Sequence, residues 1–288
     1  MTIELVLEAP AKVNLTLNVL GKRTDGYHEL ETVMQQINLR DKIFLHTGGR
    51  DIRVTSNSSE IPDNEENLAY QAAHLLYSKF SLPTGLQIFI EKNIPVGAGL
   101  AGGSTDAAAV IMGINEIFDL RLQREELLEL GLDIGSDVPF CVLGGAALAR
   151  GRGEILTSLP KGPRLEMVLV KPDFQLSTRE VYRDFRLEKV QQAPDNAAFL
   201  EAWRKCDMIG IVAEMKNVLE TVSIEKCPEI QLIKVKLDAL GAQKTLMSGS
   251  GPSVVGVFTS RDEACKAWET IKGQYRESYL VSSYDRGD

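Results

Sequence analysis

The sequence predicts an α+β protein in two parts, residues 1–160 and 161–288, and three observations carry that reading. Apolar residues take nearly every odd position from 3 to 19, the period-two pattern of half-buried strand. An alternating segment at 86–92 runs into a glycine-rich stretch and then into apolar residues at helical spacing, which reads as strand, loop, buried helix. Beyond residue 160 the segments read strand, several helices, then helix, strand, turn, strand, helix, strand. That order is a split β-α-β with inserted helices, the ferredoxin-like plan.

Composition bounds the function. A chain of 288 residues can bury a substantial core. Its 44% hydrophobic and 25% charged residues are those of an ordinary globular protein. The net charge of −8, without a lysine or arginine cluster, argues against a nucleic-acid surface. Cys141, Cys206, Cys227 and Cys265 are far apart, and the three histidines are scattered, so neither a zinc site nor a disulfide framework is expected. That cysteine usage fits a reducing cytoplasm. No signal peptide and no segment of ~20 apolar residues stands in the way of a cytoplasmic location.

In the first strand region Lys12 and Asn14 share the even-numbered, non-core face. They either point together into a cleft or are solvated strand residues. Residues 21–28 (G-K-R-T-D-G-Y-H) carry the tight-turn signal Asp25-Gly26. Tyr27 and His28 follow it, placed to stack on a flat ligand or to tuck under their own hairpin. Short strands are expected at 42–46 and 51–55, and a helix from about residue 68, with Asp63 and Glu66 at capping-box offset. After the glycine stretch come a buried helix, a second helix at 123–130, and G-S-D-V-P-F at 135–140. There Asp137 falls in a turn beside extended chain, because the residue before a proline leaves the α region. A buried strand is expected at 141–149.

The glycine stretch at 95–109 reads P-V-G-A-G-L-A-G-G-S-T-D-A-A-A. Glycine lets a backbone take positive φ or approach a ligand closely. Backbone N–H groups at a helix N-terminus make an anion site, and Ser104 and Thr105 add hydroxyls where a cap or phosphate contact is wanted. The segment G-A-G-L-A-G fits G-x-G-x-x-G, but no second strand ending in an acid follows, as a dinucleotide fold requires. The Walker G-K-[ST] and the protein-kinase V-A-I-K, H-R-D and D-F-G are absent.

Together with P-A-K-V-N-L at 10–15 and S-G-S-G-P-S at 248–253, this loop resembles the three ordered motifs of the galactokinase, homoserine, mevalonate and phosphomevalonate (GHMP) kinase superfamily. The segments D-G-Y-H-E-L and G-L-D-I-G-S-D-V-P-F narrow the resemblance to the branch that phosphorylates a cytidine-diphosphate-linked methylerythritol in the non-mevalonate isoprenoid pathway. The resemblance implies an N-terminal ATP-binding domain with a left-handed β-α-β crossover, against the usual rule, and a C-terminal ferredoxin-like domain. It implies ATP and Mg2+ as cofactors, a small-molecule substrate, no nucleic-acid or membrane partner, and a monomer or homodimer.

The resemblance also assigns residues. Pro95, Val96, Gly97, Ala98, Gly99, Leu100, Ala101, Gly102, Gly103, Ser104 and Thr105 would cradle the ATP phosphates, and Asn67, Leu68, Lys92 and Val96 match adenine positions. Asp137 would be the base for the substrate hydroxyl, with Lys12 holding that hydroxyl and the transferring phosphoryl. A carboxylate near a fixed ammonium stays ionised at neutral pH, which suits positioning and late proton acceptance. Tyr27, His28 and Tyr182 would hold cytosine, with Thr178 beside Tyr182 and Asn14 at the substrate phosphates or hydroxyls. No carboxylate pair dedicated to magnesium is evident, so phosphates and water would hold it. A homoserine- or mevalonate-type kinase would keep the loop but would not need the aromatic set. A non-catalytic nucleotide binder would leave Asp137 idle.

Overall fold

The alternating start of the chain folds as one strand. In the computed structural model, which describes residues 4–285, β1 (Glu4–Lys22) pairs with β2 (His28–Thr47) across the turn at 23–27. Ile3, the first residue of the anticipated strand, lies outside the described residues. The segment expected as a short strand at 42–46 is the end of the 20-residue β2. The chain divides into two compact units. One holds the residues up to Ala11, Leu39–Val96 and Ala101–Gly144; the other holds Lys12–Asn38, Gly97–Leu100 and the described residues from Gly145 on. β1 and β2 each contribute residues to both units.

The first unit adds β3 (Ile52–Ser56), α1 (Leu68–Phe80), β4 (Leu86–Glu91), α2 (Gly102–Ile117), α3 (Arg124–Ile134) and α4 (Val138–Leu143). β4 pairs antiparallel with the end of β2, from Lys42↔Glu91 to Thr47↔Leu86, and parallel with β3. Parallel neighbours need a crossover, and α1 supplies it. α2 approaches closely at Gly113, where a Cβ would stand 2.3 Å from Leu45 Cδ1. Ile43, Leu45, Leu76, Ile88, Ile90, Ile111 and Ile114 are buried in this unit.

Two local expectations change. Asn67, not Asp63, caps α1, its Oδ1 accepting the Ala69 N–H at 2.9 Å. A cap must be the last extended residue before the helix, and Asn67 has φ −73 and ψ 126. The apolar run at 138–149 is divided: α4 takes Val138–Leu143, and the strand starts at Ala146. The break is Gly144-Gly145, both at positive φ. A short apolar run without alternation does not distinguish helix from strand.

The second unit contains β5 (Ala146–Gly151), which pairs with β2 from Leu30↔Gly151 to Gln35↔Ala146, and β6 (Ile155–Ser158) beside β5. It continues with β7 (Glu166–Lys171), α5 (Thr178–Asp184), α6 (Asn196–Arg204), α7 (Met208–Glu214), α8 (Glu220–Lys226), α9 (Glu229–Ala239), β8 (Lys244–Met247), β9 (Val254–Phe258), α10 (Arg261–Ile271) and β10 (Glu277–Ser282). A four-stranded antiparallel sheet has the order β10-β7-β9-β8. With α9 between β7 and β8 and α10 between β9 and β10, this is the anticipated split β-α-β plan, α5 to α8 being the insertions. Val168, Val170, Ile230, Ile233, Leu237, Val254 and Ile271 close its core.

Candidate active site

The even-numbered face of β1 is buried from Pro10 to Thr16, while Glu4, Val6, Glu8, Leu20 and Lys22 at its ends are exposed. Lys12, Asn14 and Thr16 are 5%, 3% and 0% exposed. Buried polar groups must be hydrogen-bonded, and these form a chain within the second unit. Lys12 Nζ donates to Asn14 Oδ1 at 2.8 Å, and Asn14 Nδ2 donates to Thr32 Oγ1 at 2.8 Å. Thr32 Oγ1 donates to the Thr16 carbonyl, and Thr16 Oγ1 to Asn196 Oδ1 at 2.7 Å. The ammonium of Lys12 is thus aimed by a relay of uncharged side chains.

Two further motif segments meet that strand in the same unit. The Lys12 N–H donates to the Leu100 carbonyl at 3.1 Å, and the Asn14 N–H to Ser248 Oγ at 3.3 Å. Ser248 Oγ donates in turn to the Gly99 carbonyl at 3.0 Å. A Cβ on Gly99 would lie 2.3 Å from the Ser248 carbonyl oxygen. The turn at 248–253 is itself held from behind. Asn217 Nδ2 donates to the Met247 and Gly249 carbonyls, Ser223 Oγ donates to the Ser250 carbonyl, and Thr178 shares a 2.8 Å hydrogen bond with Ser250.

The loop geometry suits an anion. Gly97, Gly99 and Ala101 have φ of 63°, 73° and 58°, and left-handed residues at alternate positions belong to the backbone pattern that forms anion-binding concavities. Ala98 and Leu100 are buried and anchor the loop, while Gly97 and Gly103 are exposed. Ala101, not Ser104 or Thr105, is the N-cap of α2. Ser104 and Thr105 fall within its first turn, and Thr105 Oγ1 donates to the Pro10 carbonyl at 2.9 Å. Pro95 is buried and Val96 half-buried at the corner before the loop.

In the first unit, Asn67 spends both ends of its amide on structure, since Nδ2 also donates to the Pro62 carbonyl. Leu68 is half-buried and faces Gly103, where a Cβ would meet its Cδ1 at 3.5 Å. Lys92, matched above to an adenine position, ion-pairs through Nζ with Asp41 at 2.5 Å and Asp106 at 2.8 Å. Burial works against its charge, but the two carboxylates hold its pKa above the usual lysine value. Asp137 is half-buried and is the N-cap residue of α4, with φ −85 and ψ −14. It therefore sits in αR backbone, not beside extended chain. Pro139 stands at the start of that helix, where its missing N–H is not needed.

The aromatic set divides. His28 and Tyr182 rings lie 5.4 Å apart at 32°, with Phe185 edge-on to His28 at 6.4 Å. A ring sandwiched between two others needs roughly 7 Å between them, twice the contact distance, so this pair leaves no room for a third ring between its members. Burial first, then Lys22, pushes the His28 pKa down, which favours a neutral ring able to donate and accept. Tyr27 is 55% exposed and carries the Arg152 guanidinium 4.9 Å from its ring centre. Thr178 is exposed. Sequence reasoning missed Thr32, Ser248 and Asn217 as site residues, and Asp41 and Asp106 as partners of Lys92. Ser248 and Asp106 carried a signal, their places in S-G-S-G-P-S and in the glycine stretch at 95–109.

This fold and this loop define a class of protein, the GHMP kinases. The family models described as "GHMP kinases N terminal domain" and "GHMP kinases C terminal" match residues 67–145 and 199–277. A relative from Syntrophomonas wolfei, named 4-diphosphocytidyl-2-C-methyl-D-erythritol kinase, is 60% identical over 284 residues, 99% of this chain and 100% of that one. A crystal structure of 4-(cytidine 5'-diphospho)-2C-methyl-D-erythritol kinase superposes with a TM-score of 0.85 at 34% identity, over 97% of this chain and 100% of that one. The chain belongs to the 4-diphosphocytidyl-2-C-methyl-D-erythritol kinase family. Homoserine kinase from Cytophaga hutchinsonii shares the fold, with a TM-score of 0.77 at 20% identity over 99% and 95% of the two chains.

Proposed function

We propose that this chain phosphorylates the 2-hydroxyl of 4-diphosphocytidyl-2-C-methyl-D-erythritol with ATP, in the non-mevalonate route to isopentenyl diphosphate. The observation that carries the reading is the meeting of Lys12, Gly99–Leu100 and Ser248 on one hydrogen-bonded frame. A phosphate-binding backbone and a buried ammonium aimed by a polar relay are what phosphoryl transfer needs, since its catalysis is mostly positioning and charge stabilisation. The close fit at Gly99, where a Cβ would strike the Ser248 carbonyl oxygen, lets the loop lie directly against the 248–253 turn.

In this mechanism the N–H groups of residues 97–105 hold the ATP phosphates. Lys12 holds the acceptor hydroxyl and neutralises charge on the phosphoryl in flight. Asp137 orients the hydroxyl and accepts its proton as the O–P bond forms. Asn14, tied to Lys12, serves the substrate's phosphates or hydroxyls. His28 and Tyr182 take the cytosine face, with Tyr27 and Thr178 at its margin. Leu68 and Val96 offer apolar contact for adenine, and Asn67 and Lys92 shape that wall. Bound ATP supplies the phosphoryl group, and Mg2+ the neutralising charge. Mg2+ would be held mostly by the ATP phosphates and water, where it would neutralise phosphate charge.

Along the chain, residues 1–160 serve ATP binding and 161–288 form the ferredoxin-like part. The enzyme works in the cytoplasm as a monomer or homodimer. Among the described residues no helix is long and apolar enough to cross a membrane.

The test is ADP release with Mg2+ and ATP, offering 4-diphosphocytidyl-2-C-methyl-D-erythritol, mevalonate and homoserine separately. Turnover on the cytidine compound alone is expected. Turnover on another alcohol would refute the cytosine assignment and keep the kinase. Binding of ATP with no turnover on any would refute the catalytic roles of Lys12 and Asp137.

A further inference from the structure

Behind the α2 end of the glycine loop, the first unit holds two carboxyl groups against one ammonium. The side chains of Asp41, Lys92 and Asp106 are 0%, 5% and 3% exposed. Lys92 Nζ bridges Asp41 Oδ2 and Asp106 Oδ2, and a Cβ on Gly102 would lie 2.9 Å from that nitrogen. The group therefore sits directly behind the loop backbone at the start of α2. Fully ionised, it would carry one uncompensated negative charge in a buried place beside a proposed anion cradle. Burying an unpaired charge costs several kcal/mol, and groups in that position neutralise instead.

Hydrogen bonds decide which acid is neutral. Asp41 accepts three, from Lys92 Nζ and from the N–H groups of Asn93 at 2.5 Å and Ile94 at 2.8 Å. Three donors favour a carboxylate. Asp106 accepts only from Lys92, and its Oδ1 is buried with no hydrogen-bond partner. We propose that Asp106 carries a proton shared with Asp41, so that Asp41, Lys92 and Asp106 form a neutral unit behind the loop, and that anion binding at the loop is coupled to keeping that proton. The inference rests on the kinase reading only for the identity of the anion.

The electrostatic surroundings of Asp106 agree with this geometry. Burial raises its pKa most, Lys92 opposes, and Asp41 adds to the rise, bringing it to about 8. Lys92 and Asp41 are the charged groups that act on Asp106. From α1 and β1, that helical turn meets Leu68 and the Pro10 carbonyl, neither of which titrates. α3 and α4, which also pack on α2, place no charge among the groups that act on it. An added polyanion at the loop repels the charged form of Asp106, so binding must draw a proton in once the pH exceeds that value.

Carboxyl-carbon NMR of the nucleotide-free protein, labelled at aspartate and titrated from about pH 6 to about pH 9.5, tests the proton directly. One aspartate resonance should have the protonated shift at neutral pH, move as pH rises, and be missing in Asp106→Asn. ATP affinity measured calorimetrically should fall roughly ten-fold between about pH 7.5 and about pH 9.5 in the wild type, and less than about two-fold in Asp106→Asn. Absence of any aspartate carboxyl titrating above neutrality overturns the proposal. So does an ATP affinity with the same pH dependence in both proteins. If Asp106→Asn does not fold, the wild-type carboxyl titration alone decides. A protein that shows the titration yet binds no ATP would uphold the shared proton and refute the kinase reading.

Discussion

Gly99 is set against Ser248 so closely that the Ser248 carbonyl oxygen occupies the place of a side chain, 2.3 Å from where a Cβ on Gly99 would stand. The same two residues are joined by the hydrogen bond from Ser248 Oγ to the Gly99 carbonyl. One contact thus requires a glycine at position 99 and, together with the Asn14 N–H, places the 248–253 turn.

Gly99→Ala is therefore expected to damage ATP binding more than a surface glycine would. The left-handed backbone at φ 73° alone costs a side chain about 1–2 kcal/mol, and the clash is with backbone, which cannot rotate away. We expect at least a roughly ten-fold loss of ATP affinity with a lowered unfolding temperature. Gly26→Ala, at a glycine with nothing within 4 Å, should leave ATP affinity unchanged. Calorimetric titration of both variants with ATP checks this.

Asp137→Asn keeps the shape of the side chain at the start of α4 and removes the proton acceptor. The expected result is a kcat lowered by roughly 10²–10⁴, with the KM for ATP and the unfolding temperature close to wild type. Lys12→Met should also lower kcat, by roughly 10²–10³, because its ammonium is buried and aimed by Asn14. A kcat within a factor of two of wild type in either variant would remove that residue from the mechanism.

Tyr182→Ala should weaken binding of the cytidine substrate by the worth of one base–aromatic stack, about 1–3 kcal/mol, and leave ATP affinity alone. Tyr27→Ala should do less, since Arg152 already lies over that ring. Direct binding of the cytidine compound without ATP separates the two. Equal losses would mean that the base lies between the hairpin tip and α5 rather than on the His28–Tyr182 pair.

Asp106 also sets a trend in stability. Its folded pKa lies above the ordinary aspartate value, at about 8, so the folded state holds a proton that the unfolded chain releases at lower pH. Its contribution is complete below the unfolded pKa and is lost as pH rises to about 8. Asp106→Asn escapes that loss. The difference in unfolding temperature, variant minus wild type, should become more positive from acidic pH up to about pH 8 and then level off. Differential scanning fluorimetry across that range gives the answer, and a difference that does not change with pH would contradict it.

Chain order and local chemistry were legible without coordinates wherever a pattern is periodic or a motif is contiguous. The alternation along β1, the strand, loop and helix around the glycines, and the 229–283 run of helices and strands all report on a residue's immediate neighbours. The start of the apolar run at 141–149 was misread as strand because helix and strand differ there only in the Gly144-Gly145 break, which does not by itself announce a helix before it. The cap of α1 was placed at Asp63 in place of Asn67 because several polar residues precede that helix and only the backbone dihedral chooses among them.

What the linear order established is the α+β class, the ferredoxin-like half, a glycine-rich loop opening a buried helix and the residue types that suit phosphoryl transfer, because each follows from interactions a few residues long. Folding alone settled which of those residues are buried, which are spent on structure and which are brought together. It turned Lys12, Asn14 and Thr16 on the seemingly solvated face of β1 inward, tied Lys92 to Asp41 and Asp106 across 51 and 14 residues of chain, and set Ser248 against Gly99 across 149. Contacts at such separations depend on the packing of whole strands and helices, and no local pattern encodes them.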